Sequence, residues 1–310
     1  MEKPAVAITI RNFDLGGTAM AELLSHLRPV FTNRSGLRLT ETDLVSALGK
    51  AEIAIAGTEP FTRSVIESSP GLRIISRVGT GTDSIDLGAA RERGIRVFTT
   101  AEAPVQAVAE HTLALILAVM KGIPLYSEGM RRGHLPTRPG RLLNGAQAGI
   151  VGLGRIGTRV AEILDFLGCS ISFFDPYIGE APRGAWRRAS SLVELVRDAD
   201  ILSLHAPAQP GDRALVTGEV FSACKRGIII INTARGSLIN EEAMLSSLRD
   251  GTVAGAGLDV LPRDPYDGPL LSFPQVIVTP HVASNTPETR ARMEAEAVRQ
   301  AVVAAAGWQR

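Results

Sequence analysis

Cysteine is almost missing from this 310-residue chain, which has only Cys169 and Cys224. Two cysteines cannot build a disulfide framework, and no Cys/His group has the spacing of a zinc site. A surplus of either charge is missing as well. Lys and Arg number 33 against 32 Asp and Glu, a formal net charge of +1, so no basic field exists to hold nucleic acid or an anionic membrane. Long apolar runs are also absent. The most apolar window, 105–120, is interrupted by Gln106, Glu110, His111 and Thr112 and falls short of the ~18–20 apolar residues of a membrane span. The opening MEKPAVAITI is too short an apolar stretch for a secretory leader and runs directly into strand-like sequence. These absences predict a cytoplasmic protein with no metal site, no nucleic-acid partner and no membrane partner.

What is present is ordinary globular composition, 45% hydrophobic and 21% charged, which excludes a disordered or collagen-like chain. At ~100–200 residues per domain, the length suggests two domains. Short apolar, β-branched runs recur at 5–10, 53–57, 72–77, 96–98, 148–151, 170–174, 201–204, 228–232, 253–258 and 276–279. Most are continuous rather than alternating, as strands buried on both faces should be, and helix-length segments separate them. The pattern predicts an α/β protein with parallel sheets.

Two helices divide the chain. One spans about 104–120, with Pro104 suited to a first turn; it is apolar nearly all round and requires cover from its own core or from a second subunit. The other spans about 287–306, entered through Thr286 and Pro287 as N-cap and first helical residue. The expected organisation is an outer domain of residues 1–101 and 285–310, interrupted by a dinucleotide-type domain of residues 102–284. Residues 129–143, rich in Arg, Gly and Pro, read as an irregular connection.

The run 148–157 places Gly152, Gly154 and Gly157 in a G-x-G-x-x-G turn after an apolar strand and at the head of a helix over 158–167. Gly152 permits the tight turn, Gly154 lets a pyrophosphate approach the backbone, and Gly157 allows helix to pack on strand. Backbone N–H groups of Arg155 and Ile156 then open the helix towards the phosphates. The next strand ends in Asp175, 18 residues after Gly157, where a carboxylate accepts ribose hydroxyls. The cofactor this predicts is NAD rather than NADP, because a carboxylate repels a 2′-phosphate.

With these motifs the chain resembles the D-isomer-specific 2-hydroxyacid dehydrogenases. The matching stretches are RVGTGTDSID over 77–86, VAEHTLAL over 108–115, GIVGLGRIG over 149–157, HAP over 205–207, INTARG over 231–236, AGAGLDV over 254–260 and TPH over 279–281. The resemblance implies two Rossmann-like, doubly wound domains with the active site in the cleft between them, and a homodimer paired through the NAD-binding domain. It implies that Arg235, at a strand end, clamps the substrate carboxylate and polarises the keto oxygen, work that suits a guanidinium. It implies that His281, just past the last strand, exchanges the proton with that oxygen, as an imidazole can near neutral pH. His205, Pro207, Thr233, Ala234 and Asp259 are carried over as cofactor-lining positions, and Val78 and Gly79 as substrate-binding backbone. His26, His111 and His134 have ordinary readings on helices or in the irregular connection.

Two departures stand out. Most relatives carry Glu as the partner of the catalytic histidine, whereas this chain has Asp264, five residues after Asp259; a carboxylate there favours the imidazolium, although Asp is one methylene shorter. Ala103, Pro104 and Val105 stand where many relatives place Asn, Ser or Thr towards the cofactor. The phosphoglycerate branch carries an Arg after the second strand of its outer domain, where this chain has Gly57 with Glu59 nearby. A phosphate needs paired donors, so the expected substrate is a small unphosphorylated 2-keto acid of the glyoxylate or hydroxypyruvate kind. Phosphoglycerate oxidation and an NAD(H)-sensing, corepressor-like binding role are the alternatives; the second expects additional termini and a peptide-binding outer domain.

Overall fold

Val6 and Ile8 alternate with Ala7 along one strand, and Ile53 and Ile55 with Ala54 and Ala56 along another. The computed structural model, which describes residues 2–134, 139–263 and 265–307, sends the two sets to opposite faces of one sheet. This sheet belongs to the first of two units, formed by the chain up to Pro104 and again from Asn285. Its strands are β1 (Ala5–Ile8), β2 (Arg28–Thr32), β3 (Ile53–Ala56), β4 (Ile74–Arg77) and β5 (Arg96–Thr99), all parallel, in the order β2-β1-β3-β4-β5. On one face lie α1 (Thr18–His26) and the C-terminal helix Pro287–Ala306, through Leu23, Met293, Ala297, Val298 and Ala301. On the other lie α2 (Glu41–Leu48), α3 (Arg63–Glu67) and α4 (Leu87–Glu92), through Leu44, Leu48, Val65, Ile66, Ala89 and Ala90. Burial on both faces is why these strands read as continuous apolar runs. The C-terminal helix starts as expected: the Thr286 hydroxyl accepts the Thr289 N–H at 3.2 Å and Pro287 opens the first turn.

The second unit is Val105–Ser284. It opens with α5 (Val105–Lys121) and α6 (Ile123–Arg131), followed by β6 (Gln147–Val151), α7 (Arg155–Phe166), β7 (Ser170–Phe174) and β8 (Arg187–Arg188). Then come α8 (Leu192–Asp198), β9 (Ile201–Leu204), α9 (Gly218–Ala223), β10 (Ile228–Asn232), α10 (Glu241–Asp250), β11 (Val253–Leu258) and β12 (Val276–Val278). All strands are parallel, ordered β12-β11-β10-β9-β6-β7-β8. From β6 the chain builds outward to β8, then crosses back and builds from β9 to β12. The reversal lies between β6 and β9, and in such sheets ligands bind at the carboxyl ends of the strands beside it. Both units are doubly wound α/β sheets of the Rossmann type.

Several expectations need correction. The strand β2 is absent from the sequence reading because it is an edge strand, half-exposed and carrying Pro29, and proline with mixed polarity hides an edge from an apolar-run search. The strand β8 is two exposed arginines. The helix after the glycine turn starts at Arg155, not Thr158, with Gly154 as its N-cap. Residues 129–131 are helical, within α6, rather than irregular; residues 135–138 lie outside the described residues. Finally, α5 is covered largely by its own unit, with Ala109, Leu115, Ile116 and Met120 in the core. The large apolar side chains left exposed here are elsewhere, among them Ile123, Met130, Leu142 and Phe166. No single helix among the described residues is long and apolar enough to cross a membrane.

Candidate active site

The parallel sheet of the second unit brings the carboxyl ends of its strands to one edge, and the residues singled out from sequence follow those ends. The glycine turn follows β6, Asp175 follows β7, His205 follows β9, Arg235 follows β10, Asp259 follows β11 and His281 follows β12.

The turn after β6 shows a separate reason for each glycine. Gly152 sits at φ +84°, and a Cβ there would lie 2.9 Å from the Ala206 nitrogen. A Cβ on Gly157 would collide with the Gly152 carbonyl oxygen. Gly154 has no atom within 4 Å of where its Cβ would stand, and it is exposed. That open place lies at the N-terminus of α7, whose first N–H groups have no intrahelical acceptor. Arg155 is exposed there and Ile156 half-buried. Asp175 closes the cradle, its carboxylate accepting the Leu153 and Tyr177 N–H groups, each at 2.8 Å. An open backbone cradle, a helix N-terminus and an anchored carboxylate fit a dinucleotide.

His205 packs against this turn. Its Nε2 lies 2.9 Å from the Ser203 hydroxyl, and its Nδ1 is buried without a partner among the described residues. Burial pulls its pKa down to about 3, so the ring is neutral and not a proton donor at neutral pH. Pro207 is exposed beside it. Burial pushes the Cys169 and Cys224 thiols up to about 11 and about 12, which removes them as nucleophiles.

After β10, the side chain of Asn232 organises the turn that carries Arg235. Its Oδ1 accepts the Ala234 N–H at 3.0 Å and its Nδ2 donates to the Arg235 carbonyl at 2.9 Å. Arg235 is half-buried, with Nη1 donating to the Ala234 carbonyl at 2.7 Å. Gly236 is required because a Cβ would run into the Leu261 carbonyl. Thr233 is tied back to α5, its hydroxyl 3.0 Å from that of Thr112. The sequence reading left Asn232 and Thr112 unassigned.

After β11, Asp259 is fully buried in its side chain. It accepts the Thr279 hydroxyl at 2.6 Å and the Val282 and Ala283 N–H groups, each at 2.9 Å. It therefore holds the turn after β12 from within. His281 lies on that turn, exposed, at φ +54°, a region sparsely used by residues other than glycine and often found at functional sites. Its N–H donates to the Asp259 carbonyl at 2.8 Å. Asp264, the expected partner of His281, lies outside the described residues.

In the first unit, Val78 and Gly79 follow β4. The Val78 N–H donates to the Ala56 carbonyl at 2.8 Å and the Gly79 N–H to the Thr100 hydroxyl at 2.7 Å. Gly79 adopts φ +139°. After β3, Glu59 is 1% exposed, and its carboxylate accepts the Gly57 N–H at 2.6 Å and the Thr9 hydroxyl at 3.5 Å. No group of three His, Cys, Asp or Glu among the described residues could hold a metal ion.

Comparison with known proteins agrees with this geometry. The family described as "D-isomer specific 2-hydroxyacid dehydrogenase, NAD binding domain" matches residues 113–283. A D-3-phosphoglycerate dehydrogenase of Methanocaldococcus jannaschii is 36% identical over 259 residues, 81% of this chain and 49% of the relative. The chain thus spans about half the length of such relatives. A glycerate dehydrogenase of Methylorubrum extorquens is 33% identical, with 79% of each chain covered. The crystal structure of the TT0316 protein from Thermus thermophilus superposes with a TM-score of 0.85 at 34% identity, covering 98% of this chain and 97% of the other. The chain belongs to the D-isomer specific 2-hydroxyacid dehydrogenase family, with an NAD-binding domain in its second unit.

Proposed function

We propose that this protein is an NAD(H)-dependent oxidoreductase that interconverts a small, unphosphorylated 2-keto acid with the corresponding D-2-hydroxy acid, glyoxylate or hydroxypyruvate in kind. The observation that carries this reading is the placement of Arg235 and His281 at ends of the same sheet whose first strand leads into the open glycine cradle. The cradle of Gly152, Gly154, Arg155, Ile156 and Gly157 would hold the pyrophosphate and Asp175 the ribose hydroxyls. His205, Pro207, Thr233 and Ala234 would line the remaining cofactor site, next to the turn that the buried Asp259 holds from within. When bound, the nicotinamide supplies the hydride for reduction and takes it back in oxidation.

The chain's own residues do the rest. Arg235 binds the substrate carboxylate and polarises the keto oxygen, where negative charge develops. His281 gives its proton to that oxygen in reduction and removes it from the hydroxyl in oxidation. Asp264 supports the imidazolium, and Gly79 offers a backbone donor to the carboxylate by exchanging its bond to Thr100, while Val78, its N–H held by the Ala56 carbonyl, fixes the strand end beside it. Glu59 bears on the substrate. Its Oε1 stands 2.9 Å from where a Gly57 Cβ would be, so a buried carboxylate fills the place after β3 and opposes a phosphate there. We assign the protein to the cytoplasm and to a homodimer paired through the second unit.

A panel of 2-keto acids with NADH, followed at the nicotinamide absorbance, tests the assignment. Turnover of glyoxylate or hydroxypyruvate is expected, with 3-phosphohydroxypyruvate turned over far more slowly. Preference for the phosphorylated acid would transfer the protein to the phosphoglycerate branch. Binding of NADH without turnover of any acid would favour a binding protein.

A further inference from the structure

His111 reads from sequence as an ordinary helix residue, yet in the fold it faces the turn that carries His281. From α5, its Nε2 reaches to 3.1 Å from the Thr279 hydroxyl oxygen and 3.5 Å from Asp259 Oδ1. We infer that His111 is a positioning residue, whose Nε2–H holds the Thr279–Asp259 pair and through it the backbone conformation of His281.

Proton counting fixes the direction of the contact. A carboxylate can only accept, and the single hydroxyl proton of Thr279 is committed to Asp259 Oδ1 at 2.6 Å. The Thr279 oxygen therefore meets His111 as an acceptor, and Nε2 carries the proton. Asp259 Oδ1 also accepts the Val282 N–H, and Oδ2 the Ala283 N–H. The peptides on both sides of His281 are thus tied to one residue: the Val282 N–H to the Asp259 carboxylate and the His281 N–H to the Asp259 main-chain carbonyl. A histidine at φ +54° persists only where its surroundings over-determine it. Among the described residues, His111 supplies a side-chain donor to this network from outside the turn and strand ends that form it. Its side chain stays 23% exposed; its contribution is the directed N–H.

The kinetic part of this inference rests on the acid–base role proposed for His281; the structural part does not. In the full-length protein labelled with 15N-histidine, long-range proton–nitrogen correlation spectra should show His111 as the Nε2–H tautomer, assigned by its loss in His111→Gln. The Nδ1–H tautomer would overturn the inference whatever the activity. In His111→Leu, the Val282 and Ala283 amides should exchange with deuterium at least tenfold faster than in wild type. With the 2-keto acid turned over best, its kcat should fall by about tenfold while the Kd for NADH changes less than twofold, the signature of a group acting on the reacting geometry. His111→Gln keeps an N–H at a similar reach and should restore most of the loss. Equal losses in Leu and Gln variants, or none in either, would sink the proposal. Should His111→Leu fail to fold, the tautomer and the amide exchange of His111→Gln decide alone, wild-type-like exchange being the expected result. Absence of turnover with every acid would count against the proposed reaction and leave the tautomer and exchange results to judge His111.

Discussion

Asp175 does two things with one carboxylate. By accepting the Leu153 and Tyr177 N–H groups it pins the glycine turn to the end of β7, and in the proposed cofactor site the same charge would select against a second anion. Both oxygens are engaged, yet a carboxylate has about four lone-pair positions, which leaves capacity for ribose hydroxyls. Asp175→Ala should lower kcat/KM with NADH by roughly tenfold, about 1.4 kcal/mol, while NADPH loses less or gains. Equal losses with both would show that only the turn had been damaged. The pair proposed for catalysis separates differently. His281→Asn should lower kcat by about 10²–10⁴, the usual worth of general acid–base catalysis, with the Kd for NADH unchanged; Arg235→Ala should raise KM for the keto acid and lower kcat together, since its charge meets both the bound carboxylate and the developing oxyanion. A His281 variant that loses NADH affinity instead would contradict its role as proton donor. The strand-end placement of Arg235 and His281 was legible because each lies a few residues past an apolar strand. His111 was not, because its partner Thr279 is 168 residues away and only the fold joins them.

At the scale of elements, glycines separate packing from ligand binding. In β11, a Cβ on Gly257 would stand 2.8 Å from the Leu115 Cβ, and one on Gly255 2.8 Å from Val119 Cγ1. The helix α5 lies so close on this strand that no side chain fits between, and this contact holds α5 and therefore Thr112 and His111 over the strand ends. Gly154 is the opposite case, with open space where its side chain would be and an ordinary extended φ of −69°. Gly257→Ala should lower the unfolding free energy by about 1–3 kcal/mol, the usual cost of overpacking, read as a lower urea midpoint. Gly154→Ala should leave that midpoint unchanged and weaken NADH binding. If Gly154→Ala destabilised the protein as much as Gly257→Ala, the cradle would be a packing feature and not a binding one. Sequence revealed the buried strands through their apolar runs but not β2 or β8, whose residues are half-exposed or charged. Pairing at a sheet edge leaves little hydrophobic signature.

Over the whole molecule, the chain leaves its first unit after Pro104 and returns to it at Asn285, so Val78 and the closing helix share one core although the second unit separates them in sequence. The order of strands in each unit could not be read from local pattern, since it depends on crossovers, whereas the count of buried strands largely could. The proposed homodimer needs an exposed surface through which to pair. From sequence its warrants are the family resemblance and the apolar circumference of α5, and that helix proves to be packed within its own unit. The remaining warrant is surface: Ile123 and Met130 on α6, Leu142 before β6 and Phe166 at the end of α7 are exposed, Phe166 at 90%. An apolar groove lined by Val119, Pro124, Leu125, Tyr126 and Ile277 lies in the same unit. Ile123 and Leu142 are sequence neighbours of the groove residues Pro124 and Arg141; exposed apolar groups of this kind mark an interaction surface, which the proposed dimer would close with two-fold symmetry. Light scattering at micromolar concentration should therefore give twice the chain mass, and Met130→Glu together with Leu142→Glu should halve it without lowering the unfolding midpoint of the monomer. A wild-type protein that scatters as one chain would remove the dimer.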